Sequence, residues 1–201
     1  MRSSARTARA PESRAGCALK RFATVLFVVL SLAYPLAVYF GMRHHGIGAL
    51  ALLLFGMALL RLAFTRQLQW LAVAAGAALL ALAAWASGDA LPLKLYPALV
   101  NAVLLLVFGA SLLRPPTVVE RIARLREPDL SPRGVAYTRR VTQVWCGFFL
   151  LNGTLALATA LWAPAHVWTL YNGLVAYLLI GLLAAGEWLV RRRVKAADAH
   201  G

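Results

Sequence analysis

Few residues in this chain could do chemistry, and Glu187 comes first among them. A carboxylate near the end of an apolar run can carry a proton or hold a cationic group, because ionisable side chains within a membrane are costly and face protein or water. Trp188 and the run Arg191, Arg192 and Arg193 follow directly. The same carboxylate can therefore pair with an arginine at the membrane surface, and both readings stay open. Asn101, Gln143, Asn152 and Asn172 also fall inside apolar runs. Amides there either bond between helices or meet a ligand. Asn172-Gly173 reads equally well as an irregular start to a helix. His44, His45, His166 and Asp89 have the right types for a metal, but adjacent histidines point apart and no ligand spacing recurs, so no metal is assigned. Cys17 and Cys146 fall at different depths, which disfavours a disulfide. The sequence carries no nucleophile elbow, phosphate loop, paired carboxylates or zinc-helix motif. No catalytic residue is assigned and no cofactor is expected.

The elements that position these residues follow from hydropathy. Of 201 residues, 61% are hydrophobic, and the mean hydropathy is +0.71. Those values lie outside the range of soluble domains. A helix needs about 20 apolar residues to cross ~30 Å of hydrocarbon. Six runs approach that length: 22–40, 47–64, 70–87, 95–113, 141–162 and 167–190. Pro35 predicts a kink in the first. A short turn around Gly88, Asp89 and Pro92 joins the third and fourth. Lipid cannot satisfy free backbone groups, and no barrel-like alternation is present, so the runs must be helices. The expectation is an all-α, polytopic transmembrane bundle of about six spans. Its membrane unit, 22–190, lies between basic tails at 1–21 and 191–201.

Charge then orients the bundle. The gaps that alternate with the N-terminal tail, together with both tails, hold 19 of the 21 lysines and arginines, and only Arg43 and Lys94 fall in the others. The positive-inside rule places both termini in the cytoplasm. A net charge of +14 might otherwise point to nucleic acid, but no binding fold accompanies it and the basic clusters flank apolar runs. They fit anionic headgroups instead, so nucleic acid is excluded as a partner. Tyr39, Trp70, Trp85, Tyr96, Trp162, Trp168 and Tyr171 fall near span ends, where interfacial anchors belong.

The one substantial loop, 114–140, holds seven arginines. Pro115-Pro116 ends the fourth span. Thr117 with Glu120 forms a capping-box pattern, so a short helix should start at Val118. Val118, Ile122 and Leu125 share one face of it, the pattern of a helix lying on a membrane surface. Glu127-Pro128-Asp129 ends this helix, and Ser131-Pro132 extends the break. Arg114, Arg121, Arg124, Arg126, Arg139 and Arg140 are the candidate contacts for an acidic headgroup or a cytoplasmic partner.

Leu95-Tyr96-Pro97-Ala98-Leu99-Val100 resembles Leu170-Tyr171-Asn172-Gly173-Leu174-Val175 at an offset of 75 residues, and Trp70 then aligns with Trp145. Such a repeat would make two hairpins of the same orientation. Gly181 and Ala185 permit close packing against a neighbouring helix, within the chain or between copies.

From Lys94 to Arg193 the chain resembles the intracellular septation protein A family of bacterial inner-membrane proteins. The resemblance rests on the Tyr96 region, the Val119-Glu120-Arg121 linker and Trp145, Phe148, Phe149, Asn152 and Gly153 in the fifth span. Trp162-Ala163-Pro164, Trp168 and the basic end of the last span complete it. It implies a multi-pass inner-membrane protein acting in envelope synthesis and septation through other membrane proteins, and no catalytic residues carry over. The arginine-rich N-terminal tail departs from the family pattern. The leading expectation is a non-enzymatic component supporting cell-envelope or lipid-linked assembly. A small transporter or lipid carrier using Glu187 and the span asparagines, and an enzyme acting on a lipid, remain alternatives.

Overall fold

The computed structural model describes residues 48, 51–56, 59 and 68–198. The expected first span, most of the second, and His44 and His45 lie outside them. Among the described residues all regular structure is helical and no strand occurs. Helix α1 runs Leu68–Ser87, α2 Leu91–Lys94, α3 Tyr96–Leu113, α4 Val118–Arg124, α5 Pro132–Trp162, α6 Ala165–Leu170 and α7 Ala176–Asp198. A π-helical turn, Tyr171–Val175, joins α6 to α7. Three stretches are long and apolar enough to cross a membrane: Leu91–Leu113, Pro132–Trp162 and Ala165–Arg192. A shorter apolar helix spans Val73–Ser87. The chain is thus a helical protein with membrane-spanning character.

Packing follows residue size. Ala74, Ala77, Ala81 and Ala84 recur at helical spacing on α1, and all are buried. They form one core with Ala51, Leu54, Leu93, Tyr96, Ala160 and Trp168. On α5 the buried face is Phe149, Asn152, Ala156 and Ala160, again at spacings of three and four. Gly153 lies beside this face, where a Cβ would sit 2.9 Å from the Asn101 Cβ. Only glycine allows α3 and α5 to approach so closely there. Leu106, Leu151, Leu178 and Leu182 face outward, which costs nothing when the surroundings are acyl chains. The last stretch is the least enclosed, with 6% of its apolar window buried.

Three expectations need correction. The break at Ser131-Pro132 is a helix start. The Ser131 side chain accepts a hydrogen bond from the Gly134 N–H at 3.1 Å, and Pro132 occupies the first helical position, where its missing N–H costs nothing. The loop therefore shortens to 114–131, and Arg133, Arg139 and Arg140 ride on the first turns of α5. Pro92 likewise lies in the first turn of α2 rather than in the preceding turn. Gly88, at φ +67°, makes that turn, and Asp89 Oδ1 accepts from the Leu91 N–H at 3.0 Å. Finally, Tyr96 and Trp168 are not interfacial anchors, since both are buried, Trp168 completely. Trp85 and Trp162 do stay exposed.

The offset of 75 residues has a structural counterpart. Helix α1 ends at Ser87 and α5 at Trp162, and each is followed by a short helix and a local irregularity before a long helix. Buried Ala74, Ala77 and Ala81 correspond to buried Phe149, Asn152 and Ala156. Leu93 corresponds to Trp168, and each is fully buried.

Candidate functional site

The polar residues of the spans fall into two groups. The first is central. Asn101 lies on α3 and Asn152 on α5, at the point where Gly153 brings these helices together. Asn152 Nδ2 donates to Asn101 Oδ1 at 3.1 Å, and Asn101 Nδ2 donates to the Pro97 carbonyl at 2.8 Å. Tyr171 Oη donates to Asn152 Oδ1 at 2.8 Å. A chain of donors thus runs from Tyr171 through Asn152 and Asn101 to Pro97 O, and it ties together three membrane segments. Both asparagines are buried. Each bond in such a series polarises the next.

Asn172 sits in the π turn and does not join this chain. Its Nδ2 donates to Thr159 Oγ1 at 3.2 Å and to the Trp168 carbonyl at 2.9 Å. Thr159 and Asn152 are two helical turns apart on α5, so they share a face. Consecutive residues of an α-helix point about 100° apart. The extra residue of a π turn lets Tyr171 and Asn172 both reach α5. The irregular start expected at Asn172-Gly173 is this turn. Trp168, read from sequence as an interfacial anchor, is a buried member of the site, and Tyr171, read the same way, is a half-buried one. Trp168 Nε1 donates to the Lys94 carbonyl at 3.1 Å, closing the second group onto α2. Their aromatic type at a span end concealed them. The bond from Asn172 to Thr159 was legible only as two polar residues in adjacent runs.

The second region is the arginine-rich end. Thr117 Oγ1 accepts from the Glu120 N–H at 3.2 Å, the cap expected for α4. Buried Glu120 meets Arg124, whose Nε and Nη2 donate to its Oε1 at 2.9 and 2.8 Å. Arg124 Nη1 also donates to the Pro128 carbonyl at 2.9 Å. Arg121 Nε donates to Pro116 O at 3.0 Å, and Arg139 Nη1 to Leu112 O at 3.1 Å. Arg121 and Arg124 therefore brace the loop itself, and Arg139 ties α5 to the end of α3. Arg114, Arg126 and Arg140 are exposed. Ile122 on α4 and Leu125 at its C-terminal cap are exposed beside them, Leu125 at 85%. Val118, expected on the same face, is half-buried, so two of the three apolar residues of that face are exposed.

Glu187 lies on α7, away from the asparagines. It lines a groove of about 430 Å³ between α5 and α7, with Tyr137, Arg140, Val141, Val144, Trp145, Leu183 and Val190. Tyr137 Oη donates to the Glu187 carbonyl at 3.2 Å and so fastens α7 to α5 at this end. Arg192 stacks over Trp188 at 4.7 Å. The Arg124 guanidinium forms its ion pair with Glu120, not with Glu187. Asp89 and His166 are exposed, and no cluster of three metal-capable side chains occurs among the described residues. Gln143 is exposed on α5, outside both hydrogen-bonded groups.

No protein-family profile, curated protein or solved structure matches this chain.

Proposed function

We propose that this protein is a non-enzymatic, multi-pass component of the bacterial inner membrane, with six spans and both termini in the cytoplasm. In this reading it supports cell-envelope or lipid-linked assembly by gathering partner membrane proteins and anionic headgroups at its cytoplasmic face. One observation carries the reading: the interior amides are engaged by groups of the protein itself. Asn101, Asn152 and Asn172 bond to protein groups at 2.8 to 3.2 Å, which suits a rigid scaffold. The free polar capacity lies at the arginine-rich rim, where Arg114, Arg126 and Arg140 are exposed. Exposed cations there attract acidic lipid and acidic protein surfaces. The likeness to septation proteins in the fifth span and the basic linker points the same way.

In-cell crosslinking followed by purification tests this. Envelope or lipid-synthesis membrane proteins should be recovered, and recovery should fall when Arg114 and Arg126 are replaced by Glu. Recovery of the chain alone, together with an unaltered envelope on deletion, refutes the proposal. A second reading, a small transporter, draws on Glu187 lining a groove with Arg140. It requires flux in reconstituted vesicles that Glu187→Gln abolishes.

A further inference from the structure

The groove between α5 and α7 has a graded lining that scaffolding does not use. Tyr137, Arg140 and Glu187 stand with Val190 at the end nearest the arginine-rich loop, while Val141, Val144, Trp145 and Leu183 continue away from it. From Tyr137 to Trp145 the α5 wall runs about 12 Å at the rise of an α-helix. The groove's one cation and one anion both lie at the loop end, and the other end is apolar. We propose that this groove binds a single zwitterionic phospholipid with a primary ammonium headgroup. The inference rests on the membrane placement proposed above.

Charge complementarity selects this occupant. An anionic lipid would satisfy Arg140 and meet repulsion from Glu187. An ammonium phospholipid satisfies both, with its phosphate on the Arg140 guanidinium and its N–H donors on the Glu187 carboxylate. Arg140 and Glu187 line the same groove without being an ion pair, so both stay open to a headgroup. A quaternary ammonium headgroup carries no N–H and forms no such bond. The first part of an acyl chain then lies along Val144, Trp145 and Leu183. The Tyr137 hydrogen bond to the Glu187 carbonyl holds the two walls at this mouth.

The test uses the full chain in nanodiscs of phosphatidylethanolamine, phosphatidylglycerol and phosphatidylcholine in equal parts. Lipid retained after transfer to detergent is read by native mass spectrometry. The wild type should retain one phosphatidylethanolamine, about tenfold over either competitor, the factor that one charge-assisted contact provides. Glu187→Gln should erase the preference over phosphatidylglycerol, and Arg140→Gln should lower retention of both. Leu183→Trp should expel the lipid while leaving both charges in place, so a folding defect in one charge variant does not decide the matter. Leu106→Ala, on the outward face of α3 and outside the groove, should retain lipid as the wild type does. Equal retention of the three lipids by the wild type, or an undiminished preference in Glu187→Gln, overturns the proposal. Either result leaves partner capture by crosslinking untouched, so the scaffold reading stands or falls separately.

Discussion

Replacing Asn152 with Ala should loosen the bundle by an amount that its hydrogen bonds set. Asn152 is 4% exposed, donates to Asn101 Oδ1 at 3.1 Å and accepts from Tyr171 Oη at 2.8 Å. Interhelical hydrogen bonds in membranes contribute about 0.6 kcal/mol each on average and at most about 1.7. Two such bonds give about 1.2 to 3.4 kcal/mol. The lower half of that range is favoured in a lipid-unfolded reference, where freed groups find other partners. Asn152→Ala should therefore cost about 1–2 kcal/mol, and Tyr171→Phe, which removes one bond, about 0.6. The double variant should cost less than the sum, because the Tyr171–Asn152 bond is then counted once, leaving a coupling of about 0.6 kcal/mol. Reversible unfolding of the purified protein in bicelles, followed by steric trapping, measures all three. A cost below about 0.3 kcal/mol for Asn152→Ala, or additive single changes, would refute the idea that this chain of donors holds three segments together. Such a result would instead free Asn152 to be a ligand contact.

Two further outcomes separate packing from composition. Gly153→Ala should destabilise by about 1–3 kcal/mol, since its Cβ would meet the Asn101 Cβ at 2.9 Å. Gly76→Ala should be nearly neutral, because the obstructing atom is the far end of the Leu99 side chain and alanine gains about 1 kcal/mol of helix propensity. The same unfolding measurement checks both, and equal costs would contradict the geometry. Enzyme-reporter fusions after Leu113 and at the C-terminus should read cytoplasmic, and one at Asp89 periplasmic. A cytoplasmic signal at Asp89 would overturn the six-span arrangement.

Much of the helical layout was legible in the residues. The apolar runs fixed helices ending at Ser87, Leu113 and Trp162, because a backbone in lipid has no other partner. Thr117 and Glu120 announced the cap of α4, since the bond from the Glu120 N–H to Thr117 Oγ1 is local. The irregular start near Asn172 was readable for the same reason, as Asn-Gly favours departures from the α-helix. Ser131-Pro132 misled, because the pair that ends a helix upstream is also the pair that caps and starts one downstream. Nothing local separates the two uses.

What the sequence determined by itself was therefore everything set by hydropathy, capping and charge: helices, their approximate ends and an arginine-rich side. Partnership belonged to the tertiary structure alone. It joined Asn101 to Asn152 and sent Asn172 to Thr159 instead. It buried Trp168 against α2 and set Glu187 across a groove from Arg140. The physical reason is rotation and depth. An apolar run looks the same from every side, so neither the angle at which α5 faces α3 nor the extra residue of the π turn is written in composition. Gly153 supplies the close approach at which Asn101 meets Asn152, and the π turn supplies the angle at which Tyr171 and Asn172 reach α5.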